Sequence, residues 1–90
     1  MELDECKTVK ECLLWAEQQF PGFWEFANCK PLSEEEIDDL VAAIEGSPHY
    51  NALLIKLEEV VPTDITEEAS QLLSKGAKSF KFLEKRNDHR

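Results

Sequence analysis

The sequence predicts an all-α fold, a compact antiparallel bundle of six helices, with four- or five-helix bundles as alternatives. Apolar residues recur at helical spacing in every long segment, and capping residues, prolines or glycines separate the segments by very short connections. The alternation Phe80-Lys81-Phe82 could form an edge strand, but no second strand is predicted to pair with it. Ninety residues suit one domain, expected over residues 1–86, with a frayed basic terminus at residues 87–90.

The first helix is expected to begin at Asp4 or Thr8 and to end at Phe20. Thr8 is followed three residues later by Glu11, which is the spacing of a capping box. The apolar positions of this segment follow helical periodicity and are Val9, Leu13, Ala16 and Phe20. This face should therefore point into the core.

Leu14 and Trp15 lie off the apolar stripe of the first helix, so they need either a neighbouring helix to cover them or partial exposure.

A short aromatic segment is expected after the first helix. Pro21-Gly22 then interrupts the chain, and three aromatic residues fall within the segment Phe23 to Cys29. Because aromatic rings bury large areas, this segment is predicted to plug the core.

The third segment has the clearest helix start in the sequence. Ser33 can cap a helix while Glu36 reaches back to it, and an acidic first turn suits the helix dipole. The apolar positions repeat every three or four residues and are Ile37, Leu40, Val41 and Ile44. The opposite arc is uniformly acidic and carries Glu35, Glu36, Asp38 and Asp39. This arc is predicted to be either a solvated face or a docking surface for a basic partner.

The segment from Ser47 to Val61 is expected to be the central helix. Its apolar residues fill one broad arc, namely Leu53, Leu54, Leu57, Val60 and Val61. Ile55 points almost the opposite way, and a helix that is apolar on two sides is usually buried on both. Ser47 can cap this helix and Pro62 prevents its continuation.

Two short helices are expected at the end of the bundle. The run from Thr63 to Glu68 offers a cap and an acidic first turn for the first of them. Its apolar face is expected to carry Ile65, Ala69, Leu72 and Leu73, and Gly76 is expected to end or kink it. The segment from Ala77 to Lys85 is then interpreted as a last short helix rather than as a strand.

No motif for catalysis, cofactor binding or metal binding stands out. Three cysteines without a CxxC pair indicate reduced thiols, and no histidine stands at metal-ligand spacing from another ligand. Cys29 and His49 could meet only through the fold, and no glycine-rich oxyanion loop accompanies them. The paired carboxylates open helices or line exposed arcs instead of a pocket. The expected protein is therefore not an enzyme and takes no cofactor.

The charge is unevenly distributed along the chain. Residues 75–90 carry +4 while residues 1–74 carry −13, which gives the total of −9. An acidic body is repelled by nucleic acid and by membrane phosphates, so the expected partner is a protein with a basic patch. Apolar runs are too short to span a membrane and the acidic start does not resemble a signal peptide, so a cytoplasmic location is expected.

Lysines in the body of the chain suggest a second, weakly positive face. Lys7 and Lys10 belong to the first helix and Lys56 to the central helix, which we expect to pack side by side. Opposed positive and negative faces favour head-to-tail association with a second copy or with a related helical domain.

The chain resembles the caspase recruitment domain, a member of the death-fold superfamily. The resemblance covers most of the chain and rests on Glu11-Cys12-Leu13-Leu14, Leu32-Ser33-Glu34-Glu35-Glu36-Ile37, Ala52-Leu53-Leu54-Ile55-Lys56-Leu57, and the positions Ala69, Leu72, Leu73, Gly76, Phe80 and Leu83. It implies a six-helix antiparallel bundle without catalytic activity that recruits partners by like-with-like pairing in apoptotic or innate-immune signalling.

The resemblance also implies two interacting patches. Matched to the family by position, the basic patch falls on Lys7, Lys10 and Lys56, and the acidic patch on Glu25, Glu35, Asp38 and Asp39. Residues 1–74 contain no arginine, whereas bidentate arginines are the strong members of such basic patches. The chain is therefore expected to offer mainly its acidic face.

A second resemblance leads to an alternative function. The run Ser33-Glu34-Glu35-Glu36 followed by Leu40-Val41 and Glu45 is similar to the second helix of nuclease-colicin immunity proteins, although only Tyr50 is present where that family has paired tyrosines. This likeness implies a small acidic inhibitor, bacterial or phage-encoded, that blocks a basic partner acting on nucleic acid.

Overall fold

Five α-helices and one preceding turn of 3-10 helix make up the computed structural model, which describes residues 2–88 and the side chains through Leu83 and at Lys85. In chain order, the elements are the 3-10 turn Leu3–Glu5, α1 Val9–Gln19, α2 Phe23–Ala27, α3 Glu34–Glu45, α4 His49–Val60 and α5 Glu67–Asp88. No strand occurs within residues 2–88, so the predicted all-α class is confirmed.

The C-terminal segment forms one long helix instead of the two short ones that the sequence suggested. Gly76 does not end the helix, because α5 continues through it to Asp88. Glycine weakens a helix without forbidding it, and tertiary packing on both sides of Gly76 outweighs that cost. Part of the expected frayed terminus, residues 87–90, is therefore helical, and residues 89 and 90 lie outside the described part of the chain.

Helix α1 lies at the centre of the bundle and packs against α2, α4 and α5. Its buried residues cover a wide arc and are Val9, Cys12, Leu13, Trp15 and Ala16. Cys12 and Ala16 are completely buried, and such small side chains let neighbouring helices approach closely. Trp15, which lies off the predicted stripe, is buried as well, whereas Leu14 is exposed.

The prediction that the fourth helix is the central one was wrong. Helix α4 buries only the narrow stripe of Leu53, Leu57 and Val60, and Ile55 on its opposite side is 54% exposed. The main contacts of α4 are to α1, α3 and the 3-10 turn, and they leave the Ile55 side uncovered. Apolar residues on two sides of a helix therefore did not indicate burial on both sides.

The expected apolar face of the next helix is confirmed for Ala69 and Leu72, which are buried, but it was wrong for Ile65. Ile65 is 90% exposed, because α5 begins only at Glu67 and Ile65 lies in the connection before it.

The aromatic segment forms the core plug that the sequence predicted. In the short helix α2, Phe23 and Ala27 are completely buried and Phe26 is nearly so. The Phe23 ring lies 6.0 Å from the ring of Phe20 and 6.3 Å from that of Phe80, measured between centroids. These tilted contacts connect α1, α2 and α5 through one ring.

Side chains cap the helix starts much as predicted. The Thr8 hydroxyl accepts from the Glu11 amide at 3.1 Å, and Ser33 forms a complete capping box with Glu36. At the start of α4, the Ser47 hydroxyl accepts a hydrogen bond from the His49 amide at 3.1 Å. The helix itself begins at His49, two residues after Ser47.

A longer-range cap ties the start of α1 to the connection before α5. The Val9 amide, in the first turn of α1, donates to the Asp64 carboxylate at 2.9 Å. The Thr66 hydroxyl donates to the other Asp64 oxygen at 2.9 Å and accepts from the Ala69 amide of α5 at 3.2 Å. The hydrogen bond from the Val9 amide is the main reason why the pKa of Asp64 lies below its ordinary range, and the bonds from Thr66 lower this pKa further.

The continuous course of α5 can be tested at Gly76. A Cβ at this position would lie 3.9 Å from the Phe80 ring, an ordinary contact, beside a cavity of about 140 Å³. Gly76→Ala should therefore raise the free energy of unfolding by about 0.5–1 kcal/mol, measured by urea denaturation. As a control, Gly22→Ala at φ +97° should lower it by about 1–2 kcal/mol. Equal losses for both variants would contradict an unbroken helix.

The Asp64 cap predicts a specific pH dependence. Its pKa is lower in the folded protein than in the unfolded chain, so the ionised cap stabilises the fold above the unfolded pKa, about 3.9. This stabilisation should disappear as pH falls through the folded pKa. Asp64→Asn should lower the thermal midpoint at pH 7, and the difference from wild type should shrink between pH 4 and pH 2, followed by circular dichroism. A difference that stays constant across this range would exclude the ionised cap.

Candidate functional site

The outer face of α3 is a continuous acidic surface. Its carboxylates are all exposed, namely Glu34, Glu35, Glu36, Asp38, Asp39 and Glu45. The opposite side of α3 buries Leu40, Val41 and Ile44, which fixes the direction of the acidic side. Glu35, Asp38, Ala42 and Glu45 succeed each other at intervals of three, four and three residues, so they form one row about 15 Å long. We call this row and Asp39 the acidic face.

One edge of the acidic face borders a groove of about 460 Å³. Asp39 and Glu36 line it together with Leu40 and Ala43, and Pro21 and Gly22 between α1 and α2 form the other wall. A partner on the acidic face could therefore combine ion pairs with a small apolar contact.

Glu25, the remaining member of the expected acidic patch, lies on a different helix. It is exposed on α2, and its carbonyl accepts from the Lys30 amide at 3.0 Å, in the loop that leads to α3. The structure thus places Glu35, Asp38 and Asp39 on one helix and Glu25 on another.

The three lysines of the expected basic patch have different surroundings. Lys7 is exposed just before α1, and Lys10 lines a groove with Trp24 of α2 and Lys75 of α5. The Lys56 side chain is only 18% exposed, and its ammonium group donates to the Asp4 carbonyl at 3.4 Å and lies 3.7 Å from the Glu59 carboxylate. Lys56 therefore fastens the 3-10 turn to α4.

Apart from Lys30 in the loop before α3, the described lysines outside the expected patch lie along α5. Lys75, Lys78, Lys81 and Lys85 are all exposed. The positive charge of residues 75–90 indicated this surface, but the interruption expected at Gly76 concealed that one helix carries all four lysines.

The thiols and His49 have neighbours that differ from those of a catalytic pair. Cys6 and Cys12 are buried, and burial raises the pKa of both, that of Cys12 to about 12. Cys29 is exposed in a left-handed conformation at φ 59°, and its thiol donates to the Lys75 carbonyl at 3.3 Å. His49 packs edge-on against Trp15 at 5.7 Å between ring centroids.

No group of three or more histidine, cysteine, aspartate or glutamate side chains within the described chain is arranged to hold a metal ion. None of the helices between residues 2 and 88 has the length and apolar character needed to cross a membrane.

Comparison with protein-family models, curated proteins and solved structures gives no match. The interpretation of the acidic face therefore depends on its own geometry and charge.

Differences in thiol environment predict selective modification. Iodoacetamide at pH 8 should alkylate Cys29 in the folded protein, because among the three thiols only that of Cys29 is exposed to the reagent. Cys6 and Cys12 should react only after unfolding in urea, as measured by mass spectrometry of the tryptic peptides. Alkylation of Cys12 at the rate of Cys29 would show that α1 is not buried as described.

Proposed function

We propose that this chain is a non-enzymatic protein-interaction module of the caspase-recruitment-domain type, which recruits a partner through the acidic face of α3. The partner carries a basic patch and is a related helical domain or a second copy. The proposed setting is apoptotic or innate-immune signalling in the cytoplasm.

The observation that carries this proposal is the separation of roles within α3. Leu40, Val41 and Ile44 attach the helix to the bundle, while Asp38 and Asp39 remain exposed on its outer side. Because Asp38 and Asp39 are exposed and the apolar side of α3 makes the contact with the core, a basic partner can reach both carboxylates without displacing the packed side chains. Exposed charges of one sign steer an oppositely charged partner and restrict its orientation.

The acidic face can be tested by charge reversal. Asp38→Lys with Asp39→Lys should reduce recovery of partners from cells by about tenfold or more, because like charges then meet at the contact. The measurement is quantitative affinity purification of the tagged chain followed by mass spectrometry, with the circular dichroism spectrum and thermal midpoint unchanged.

A matched control keeps the change in net charge constant. Glu58 on α4 and Glu67 on α5 are exposed, and reversing both to lysine also changes the net charge from −9 to −5 while the Lys56–Glu59 ion pair is kept. This control should retain the partners that the α3 variant loses. Equal recovery with both variants would overturn the assignment of α3, and a basic nucleic-acid-processing enzyme as the lost partner would favour the inhibitor function.

A further inference from the structure

Ile65 is the most exposed large apolar side chain among the described residues, at 90%. Its neighbours on both sides are fixed, because Asp64 binds the Val9 amide and Thr66 caps α5. A side chain held in this way loses little conformational freedom when it enters a pocket. Ile65 therefore has the properties of a preformed apolar knob.

An apolar groove of about 370 Å³ lies near the other end of α5. Phe26, Leu32, Ile37 and Phe82 supply its apolar lining, and Phe82 is 40% exposed. The groove is also lined by Lys30 and Lys78, both of which are exposed. Its chemistry suits an apolar side chain that is accompanied by carboxylates.

The charges next to the knob complement those of the groove. Glu67 and Glu68 follow Ile65 in the first turn of α5, and both are exposed. An isoleucine in the groove could therefore be flanked by ion pairs from these glutamates to Lys30 and Lys78.

The knob cannot reach the groove of its own molecule. Glu67 and Phe82 are fifteen residues apart on the same helix, which separates them by about 22 Å along the axis. The knob thus lies just before the start of α5, and the groove lies beside its later turns. Only another chain can bring the two surfaces together.

We infer that two copies of this chain associate head to tail, with Ile65 of one copy in the groove lined by Phe26, Leu32 and Phe82 of the next. This contact uses a different surface from the acidic face and does not rest on the proposed function. Since knob and groove remain free at opposite ends of a dimer, the association is heterologous and can continue into open chains. The contact area is small, so the association is weak and depends on concentration.

Sedimentation velocity on the full chain, from micromolar to millimolar concentration, tests this association. The wild-type sedimentation coefficient should rise with concentration. Ile65→Asp removes the knob, and Lys30→Glu with Lys78→Glu reverses the rim of the groove, so each variant alone should remain monomeric. An equimolar mixture should form dimers and nothing larger, because one groove and one knob stay intact.

Ile55→Asp is the matched control, since Ile55 is the other strongly exposed isoleucine and lies outside the proposed contact. It should associate as wild type does, and so should the Asp38 and Asp39 reversal. Association that is lost with the Asp38 and Asp39 reversal but kept with Ile65→Asp would overturn this inference and assign self-pairing to the acidic face of the proposed function. A wild-type chain that stays monomeric at millimolar concentration would overturn the inference. So would variants that each lose association but fail to form dimers when mixed.

The native thiol at the groove gives a second readout. Cys29 lines the groove, so Ile65→Cys in a Cys29→Ser chain should form a disulfide with Cys29 of a wild-type chain when oxidised glutathione is added. Peptide mapping should identify the link between positions 65 and 29. Cross-linking that is no faster than for Ile55→Cys in the same background would contradict the contact.

Discussion

Burial of α1 on three sides is the constraint on which the rest of the molecule depends. Its small buried residues, Cys12 and Ala16, let the neighbouring helices approach, and the Phe23 ring fills the space between α1, α2 and α5. The Asp64 carboxylate then satisfies an amide at the start of α1 from a residue fifty-five positions away. The same interaction that completes α1 therefore also fixes the connection that leads into α5.

A central α1 places the charged helices at the periphery. Helix α3 needs only one apolar side to attach, so its other side can carry carboxylates without a desolvation cost. Helix α5 carries its lysines on its exposed side, between and beyond the buried positions Leu72, Ser79 and Leu83. The fold thus separates an acidic face on α3 from a basic surface on α5, and the proposed role in protein recognition is based on this separation.

Local patterns were sufficient to predict the helical class, the aromatic plug and most helix starts. Ser33 and Glu36 form the predicted capping box because such a bond depends only on residues three apart. Ile55 and Gly76 misled the prediction, since burial and helix continuation depend on neighbours distant in sequence. The acidic face follows directly from the periodicity of α3. The Asp64 cap and the groove beside Phe82 join segments far apart in the chain, so no local pattern could have revealed them.

The roles of α1 as the buried centre and of α3 as a peripheral helix are tested most directly by amide hydrogen exchange, followed residue by residue with NMR. The amides of Cys12 and Ala16 should exchange slowest, near the rate set by global unfolding, while those of α3 should exchange through smaller local openings. If the α3 amides were as protected as those of α1, or if α1 exchanged first, the described arrangement and the acidic face that depends on it would both be contradicted.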